Sequence, residues 1–204
     1  MVEAFSLRTA HLYGDALASQ AHLRYRVFVK QRGLEHSYYE ELEYDQFDTP
    51  GAVYFVWRDD TQVVRGLIRL LPTTLPYMLQ SFWPHLAGGH VPRSRSVWEV
   101  TRLCVDREFH STSRHRIMPE IMCGVHEFCS ANNITHVVGV TRKHLIEYFL
   151  REGVKWLGPT AVIEGEPEAA FSVPLKHMRP RYHCERLGIT DCCLNIPITQ
   201  LIAA

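Results

Sequence analysis

After Gly14, the positions Leu17, Ala21, Arg24, Val27 and Phe28 recur at three- and four-residue steps, which predicts a helix closed by Gly33. A second stripe of the same period, Ile117, Ile121, Val125 and Phe128, predicts a long helix over 114–131, and a third helix is expected over 143–151, ending at Gly153. Segments 52–57, 63–71 and 97–106 are dense in Val, Leu, Ile and aromatic residues and read as strands, with Asp59 and Asp60 turning the chain between the first two. Residues 134–140 read as a short buried strand and 169–175 as a late one. A proline-rich stretch, 72–92, interrupts the strands. Its Leu75, Met78, Leu79, Phe82 and Trp83 predict a packed short helix. The order helix, strands, helix, strand, helix, strand, with no internal repeat, predicts a single α/β domain over 1–204 around a mixed sheet.

Residues 34–50 fit neither period. They hold three tyrosines and a phenylalanine among six acids, too aromatic for a linker, and predict an ordered loop folded as a flap over a pocket. The last thirty residues carry little pattern.

Composition narrows the classes. With 46% hydrophobic residues in 204, the chain fills a core without covalent staples, so its six cysteines read as free thiols of a cytoplasmic protein. The 22 Lys plus Arg balance 22 Asp plus Glu, and no apolar run reaches the roughly 18 residues of a bilayer span, so neither nucleic acid nor membrane is an expected partner. No metal is expected: the sequence has no HExxH or CxxC, and Asp45 and Asp48 lack the rest of a calcium loop. Nucleophile-elbow, Walker and dinucleotide fingerprints are absent as well. Trp83, Trp98, Met118, Met122 and Phe128 read as core, part of which has room to surround an acyl chain.

The anomaly is charge inside apolar strands: Arg69 in GLIRLL, Glu99 and Arg102 in VWEVTRLCV. Such groups need partners, and a cross-strand pair of Arg69 with Glu99 is the economical account. Glu99 and Arg102 are three apart, so a regular strand points them to opposite faces; a β-bulge between them would bring them together. On pattern alone, a half-solvated sheet face explains the same charges.

Taken in order, RYRVF at 24–28, EYDQFD at 43–48, RLLPTTLPYM at 69–78 and WEVTR at 98–102 resemble the LuxI-type acyl-homoserine-lactone synthases, the autoinducer synthases of quorum sensing, with a weaker match in YFLREGVKWLG at 148–158. The resemblance implies a GNAT-like fold and transfer of an acyl group to the amine of S-adenosylmethionine, followed by lactone closure with loss of methylthioadenosine. The acyl donor would be acyl carrier protein or acyl-CoA. Both reactants are substrates, and no cofactor is implied. Carried onto this chain, it implies Arg69, Glu99 and Arg102 as catalytic residues, and Arg24, Phe28, Leu34, Asp45, Asp48 and Arg102 around S-adenosylmethionine. Trp83, Met122 and Thr141 fall to the acyl pocket, Thr141 at a position the family associates with 3-oxo chains. Two positions depart from the family: Leu34 stands where it commonly has tryptophan, and Trp83 where it usually has phenylalanine.

Glu99 is the candidate base, although ion pairs with Arg69 and Arg102 would depress its pKa and leave it an architectural role. Arg24 or Arg102 would orient the substrate carboxylate, and Asp45 or Asp48 its ammonium. A basic set, Arg93, Arg95, Arg107, Arg114, Arg116, Arg142 and Lys143, reads equally as a docking patch for an acidic carrier and as dispersed solvated charges. The rival readings are a GNAT-like N-acetyltransferase of another amine and a catalytically silent acyl-carrier-binding relative.

Overall fold

A computed structural model describes residues 2–149, 153–189 and 193–195. Its centre is an eight-stranded mixed sheet. In chain order the elements are β1 (Val2–Phe5), α1 (Ala16–Arg24), a small hairpin of β2 (Tyr38–Tyr39) and β3 (Leu42–Glu43), β4 (Val53–Arg58), β5 (Val64–Pro72), α2 (Met78–Phe82), β6 (Val97–Val105), α3 (Arg114–Ala131), β7 (His136–Thr141), α4 (Lys143–Phe149), β8 (Lys155–Ile163), β9 (Glu166–Pro174), α5 (Leu175–Met178), α6 (Arg181–Leu187) and β10 (Leu194–Asn195). The sheet runs β10-β1-β4-β5-β6-β7-β9-β8. All its pairings are antiparallel except β10 with β1 and β6 with β7.

Both faces of the sheet are covered, which explains why its strands read as continuous apolar runs. Tyr54, Val56, Leu67 and Leu71 face α1 and the segment after it, while Phe55, Ile68 and Leu70 face α3 through Ile117, Ile121 and Val125. Arg69 shares the parity of Leu67 and Leu71, so it points to the α1 face.

The helix predicted up to Gly33 is present but changes pitch. After Arg24 it widens into π-helical turns over Tyr25–Gln31, with Arg32 N–H reaching the Val27 carbonyl at 3.2 Å, and Gly33 closes it at φ 67°. The 114–131 helix and the helix inside 72–92 form as expected. The 143–151 helix is seen to Phe149, and its last two residues lie outside the described set. The strands expected at 134–140 and 169–175 occupy His136–Thr141 and Glu166–Pro174.

Three parts went unread. β1 is only four residues long, and the weakly patterned C-terminal region folds into α5, α6 and β10. β8 contains Gly158-Pro159, which reads as a turn. There the register slips between Trp156 and Thr160, and a side chain on Gly158 would collide with the Leu86 carbonyl. Of the cysteines, Cys104, Cys123, Cys129 and Cys184 are unbridged thiols; Cys123 and Cys184 touch at 3.0 Å, and Cys192 lies outside the described residues.

Gly66 on β5 lets α3 lie close on the sheet: a Cβ there would fall 2.2 Å from Ile117 Cγ2 and 2.9 Å from Ile121 Cδ1. Gly66→Ala is expected to destabilise the protein by about 1–3 kcal/mol, seen as a lower urea midpoint at unchanged m-value.

Candidate active site

The parallel pairing of β6 with β7 holds for only three positions, Val97–His136, Trp98–Val137 and Glu99–Val138. Both strands continue beyond it, β6 to Val105 and β7 to Thr141. The sheet therefore splits after Glu99, and a cleft of about 500 Å³ occupies the split. On one side it meets Phe28, Leu34, His36 and Arg102, and on the other Ile68, Met118, Met122 and Phe171. Glu99 lies on its wall at the point of divergence.

β6 does carry a bulge, but at Arg102 and Leu103 rather than between Glu99 and Arg102, since Glu99, Val100 and Thr101 pair regularly with β5. Arg69 pairs with Thr101 and Leu67 with Cys104, so Arg102 and Leu103 together oppose Ile68. Arg102 adopts φ 54°, a left-handed conformation that costs a non-glycine residue about 1–3 kcal/mol. The extra residue inverts the alternation. Cys104, five positions beyond Glu99, thereby returns to the α1 face, and Arg102 comes to rest with its guanidinium 5.4 Å from the Phe28 ring.

The cross-strand pair of Arg69 with Glu99 does not form, because the register places Glu99 opposite Leu71 and Arg69 opposite Thr101. Arg69 instead spends its guanidinium on Asp45, at 2.7 and 2.9 Å, and on Asp48, at 2.7 Å. Both carboxylates come from the loop after β3, where Asp45 N–H donates to Asp48 and Phe47 N–H to Asp45, so the loop aims its own acids inward. Arg24 binds Asp48 through two nitrogens at 2.8 and 3.0 Å and also pairs with Glu43; Arg102 reaches Glu43 at 2.9 Å and Asp45 at 2.7 Å. Three arginines and three carboxylates thus close on one another. Arg69 and Glu99 are buried and the Arg102 side chain is only 9% exposed, so the solvated-face reading of these three charges fails.

The surroundings move Glu43 and Asp48 one way and Glu99 the other. Burial alone would raise the Glu43 pKa, but the His36 ring 3.2 Å away and the charges of Arg102 and Arg24 outweigh it, taking Glu43 from 4.5 down to about 2. Asp48 is likewise depressed: burial is overcome by its bonds to Arg24, the charges of Arg69 and Arg24, and the Tyr54 hydroxyl. Glu99 goes the other way, and the expected depression is reversed. It is 1% exposed and accepts the Met78 and Leu79 N–H groups at 2.8 and 2.7 Å, yet burial pushes its pKa up to about 7.

Of the expected site residues, Phe28, Leu34, Trp83, Glu99, Arg102, Met122 and Thr141 all line the cleft. Arg24, Asp45, Asp48 and Arg69 do not. They form the ionic layer beneath it, each already partnered. Sequence reading missed Glu43, although it stands two residues from Asp45 in the same motif. It also missed His36, which faces Glu43 at 3.2 Å and Glu164 at 3.0 Å, a contact across 128 positions with no local signal. The basic patch divides: Arg93 and Arg95 are exposed and Arg107, Arg114 and Arg142 line the cleft, but Arg142 also pairs with Glu166, Arg116 is engaged by Glu120, and Lys143 lies over Trp156. Among the described residues no group of His, Cys, Asp and Glu is arranged to hold a metal ion, and no helix is long and apolar enough to cross a membrane.

The family model described as autoinducer synthase matches residues 10–180. The acyl-homoserine-lactone synthase of Pseudomonas aeruginosa is 31% identical over 198 residues, spanning 92% of this chain and 96% of that protein. A CoA-dependent acyl-homoserine lactone synthase, solved with SAM and isopentyl-CoA, superimposes with a TM-score of 0.84 at 28% identity, covering 100% of this chain and 97% of its own. An acyl-CoA N-acyltransferase of Pseudomonas aeruginosa shares the fold at a TM-score of 0.57 and 17% identity, with 85% and 98% covered.

The ionic layer carries two testable consequences. Asp48→Ala leaves Arg24 and Arg69 buried without a shared acceptor and is expected to cost about 3–5 kcal/mol in urea unfolding. Because Glu43 and Asp48 titrate lower in the folded protein than in the unfolded chain, the unfolded chain takes up their protons first on acidification. Their stabilisation is present above the ordinary carboxylate range and is lost as pH falls through it toward about 2. Unfolding midpoints measured along an acid series should fall over that window.

Proposed function

The chain belongs to the acyl-homoserine-lactone synthases of the autoinducer synthase family, and on that premise we propose how its cleft carries the reaction. S-adenosylmethionine lies against Phe28, Leu34 and Arg102, with its carboxylate drawn to the Arg102 guanidinium, whose Nε is buried without a partner. Its α-amine meets Glu99. The acyl thioester enters through the sheet split, with its chain toward Met122, Trp83 and Thr141 and its anionic carrier end toward Arg107, Arg114 and Arg142 at the rim. Acyl carrier protein and acyl-CoA both present such an end, and likeness to the CoA-dependent structure favours acyl-CoA.

Glu99 takes the proton from the α-amine. The amine nitrogen then bonds to the thioester carbonyl carbon, and the C–S bond breaks to release the thiol of the carrier. Beyond Glu99 the β6 edge has lost its β7 partner, so its free backbone groups border the reacting carbonyl and can donate to the oxyanion. In the second step the carboxylate oxygen attacks the γ-carbon. The C–S bond of the sulfonium breaks, methylthioadenosine leaves and the lactone closes. This step asks only that carboxylate and carbon be held in line, a task suited to Arg102, which Glu43 and Asp45 fix in place. Arg24, Arg69, Asp45 and Asp48 act by positioning. Both reactants are substrates and the chemistry calls for no cofactor, which suits a cytoplasmic enzyme working where acyl thioesters are made.

The observation that carries this reading is Glu99: a carboxyl on the cleft wall where the two strands part, oriented by two backbone N–H groups, its pKa pushed by burial up to about 7. With S-adenosylmethionine and a panel of acyl-CoA and acyl-carrier thioesters, mass spectrometry should find an acyl-homoserine lactone and methylthioadenosine together. Amide product without S-adenosylmethionine would favour an N-acetyltransferase instead. Since the base works ionised, kcat should rise with pH through about 7 and then level off. Glu99→Gln should remove that limb and lower kcat by about 100- to 10,000-fold.

A further inference from the structure

Phe171 on β9 stands opposite Gly139 of β7 in the sheet register, and its ring extends over the space a side chain at 139 would fill. A Cβ on Gly139 would lie 3.0 Å from Phe171 Cε1 and Cζ and 3.0 Å from Val100 Cγ2. Val100 is the first residue of β6 past the last β6–β7 pair. The phenyl ring and the valine methyl therefore both crowd the space beside Gly139, just where the two strands part. Trp156 of β8 backs the ring edge-on at 6.5 Å, and the ring is 2% exposed, so it is held rather than free to swing aside. Val100 and Phe171 both line the cleft, together with Ile68, Met118 and Met122 from the α3 side.

Space is short as well. The cleft of about 500 Å³ is the size that commonly holds one drug-sized ligand, yet acyl transfer requires S-adenosylmethionine and the acyl chain in it at once.

The geometry points to Phe171, seated over Gly139, as the residue that sets how deep the acyl chain reaches, and to a short acyl group as the natural donor. This inference rests on the synthase reading above. The ring occupies the volume that the distal carbons of a longer chain need, and Trp156 blocks its retreat. Gly139 makes the arrangement possible, since any larger residue would drive the ring or Val100 into the path of the chain.

The test is a chain-length profile. The full-length protein and its Phe171→Val, Phe171→Leu and Gly139→Ala variants are supplied with S-adenosylmethionine and straight acyl thioesters from butanoyl to dodecanoyl plus isovaleryl, and kcat/KM is read from lactone formation. The native protein is expected to prefer acyl groups of about four to six carbons. Phe171→Val should move the optimum to longer chains and raise decanoyl use relative to butanoyl by about tenfold or more. Phe171→Leu keeps more of the core volume and should shift it less in the same direction. Gly139→Ala should shift it toward shorter chains. A native preference for ten carbons or more overturns the inference, as does lactone formation with one and the same profile in the native protein and both Phe171 variants. Failure of the native protein to form lactone from any donor overturns the synthase reading itself, and this inference with it.

Discussion

Three guanidinium groups stay charged in the interior of this protein only because three carboxylates meet them there, and that requirement organises one whole face of the sheet. An isolated buried charge costs several kcal/mol even after relaxation, so Arg24, Arg69 and Arg102 are tolerable only as a closed set with Glu43, Asp45 and Asp48. The set draws on α1, β5, β6 and the β3 loop. The loop at 44–50 has little to pack of its own beyond Phe47, which is buried and meets Phe82 edge-on at 5.5 Å; its conformation follows from the duty to present two aspartates inward. The result is a rigid ionic floor from which Arg102 alone of the three arginines emerges into the cleft.

Two departures from regular structure convert that floor into a site. The split between β6 and β7 opens the sheet without exposing its core, because helices and the hairpin segment still cover both faces. The bulge at Arg102 then turns one side chain that parity would have sent to the α3 face back toward Glu43 and Phe28. Glu99, just before the bulge, keeps regular geometry, and α2 supplies it with two N–H donors but no cation within bonding distance. One carboxyl left without an ion pair, amid three that are saturated, is the electrostatic contrast that separates a candidate base from its scaffold.

Much of this was legible in the chain. Periodicity located the long helices, and apolar density located β4, β5 and β6. Charge inside apolar strands identified Arg69, Glu99 and Arg102 as residues needing an explanation, and the odd spacing of the last two pointed to a bulge in β6, which the structure puts at Arg102 and Leu103 instead of between them. What failed was pairing. Register decides whether Arg69 faces Glu99 or Thr101, and register is set by the bulge itself, which a one-dimensional pattern places only to within a residue or two. The pKa direction of Glu99 followed from that error: once the expected guanidinium is removed, burial governs. His36 and Glu164 could not be read at all, since the two meet only through the tertiary fold, and β8 was hidden by a Gly-Pro step that in most chains marks a turn.

The ionic floor and the α3 side of the cleft differ in how much alteration each can absorb. Glu43 contacts Arg24 and Arg102, 19 and 59 positions away, so its bonds close only when α1, β3 and β6 are assembled; folding and site formation on that face are one event. Loosening it to admit a new substrate would loosen the protein. The opposite wall is made of methionines, an isoleucine and a phenylalanine on α3, β5 and β9, and such residues exchange volume with neighbours at modest cost. Variation in this enzyme is thereby channelled. On the proposed placement of the two substrates, the acceptor chemistry is tied to the survival of the fold, whereas the acyl side is free to drift, and a lineage descended from this sequence would change the length of its signal long before it changed the headgroup.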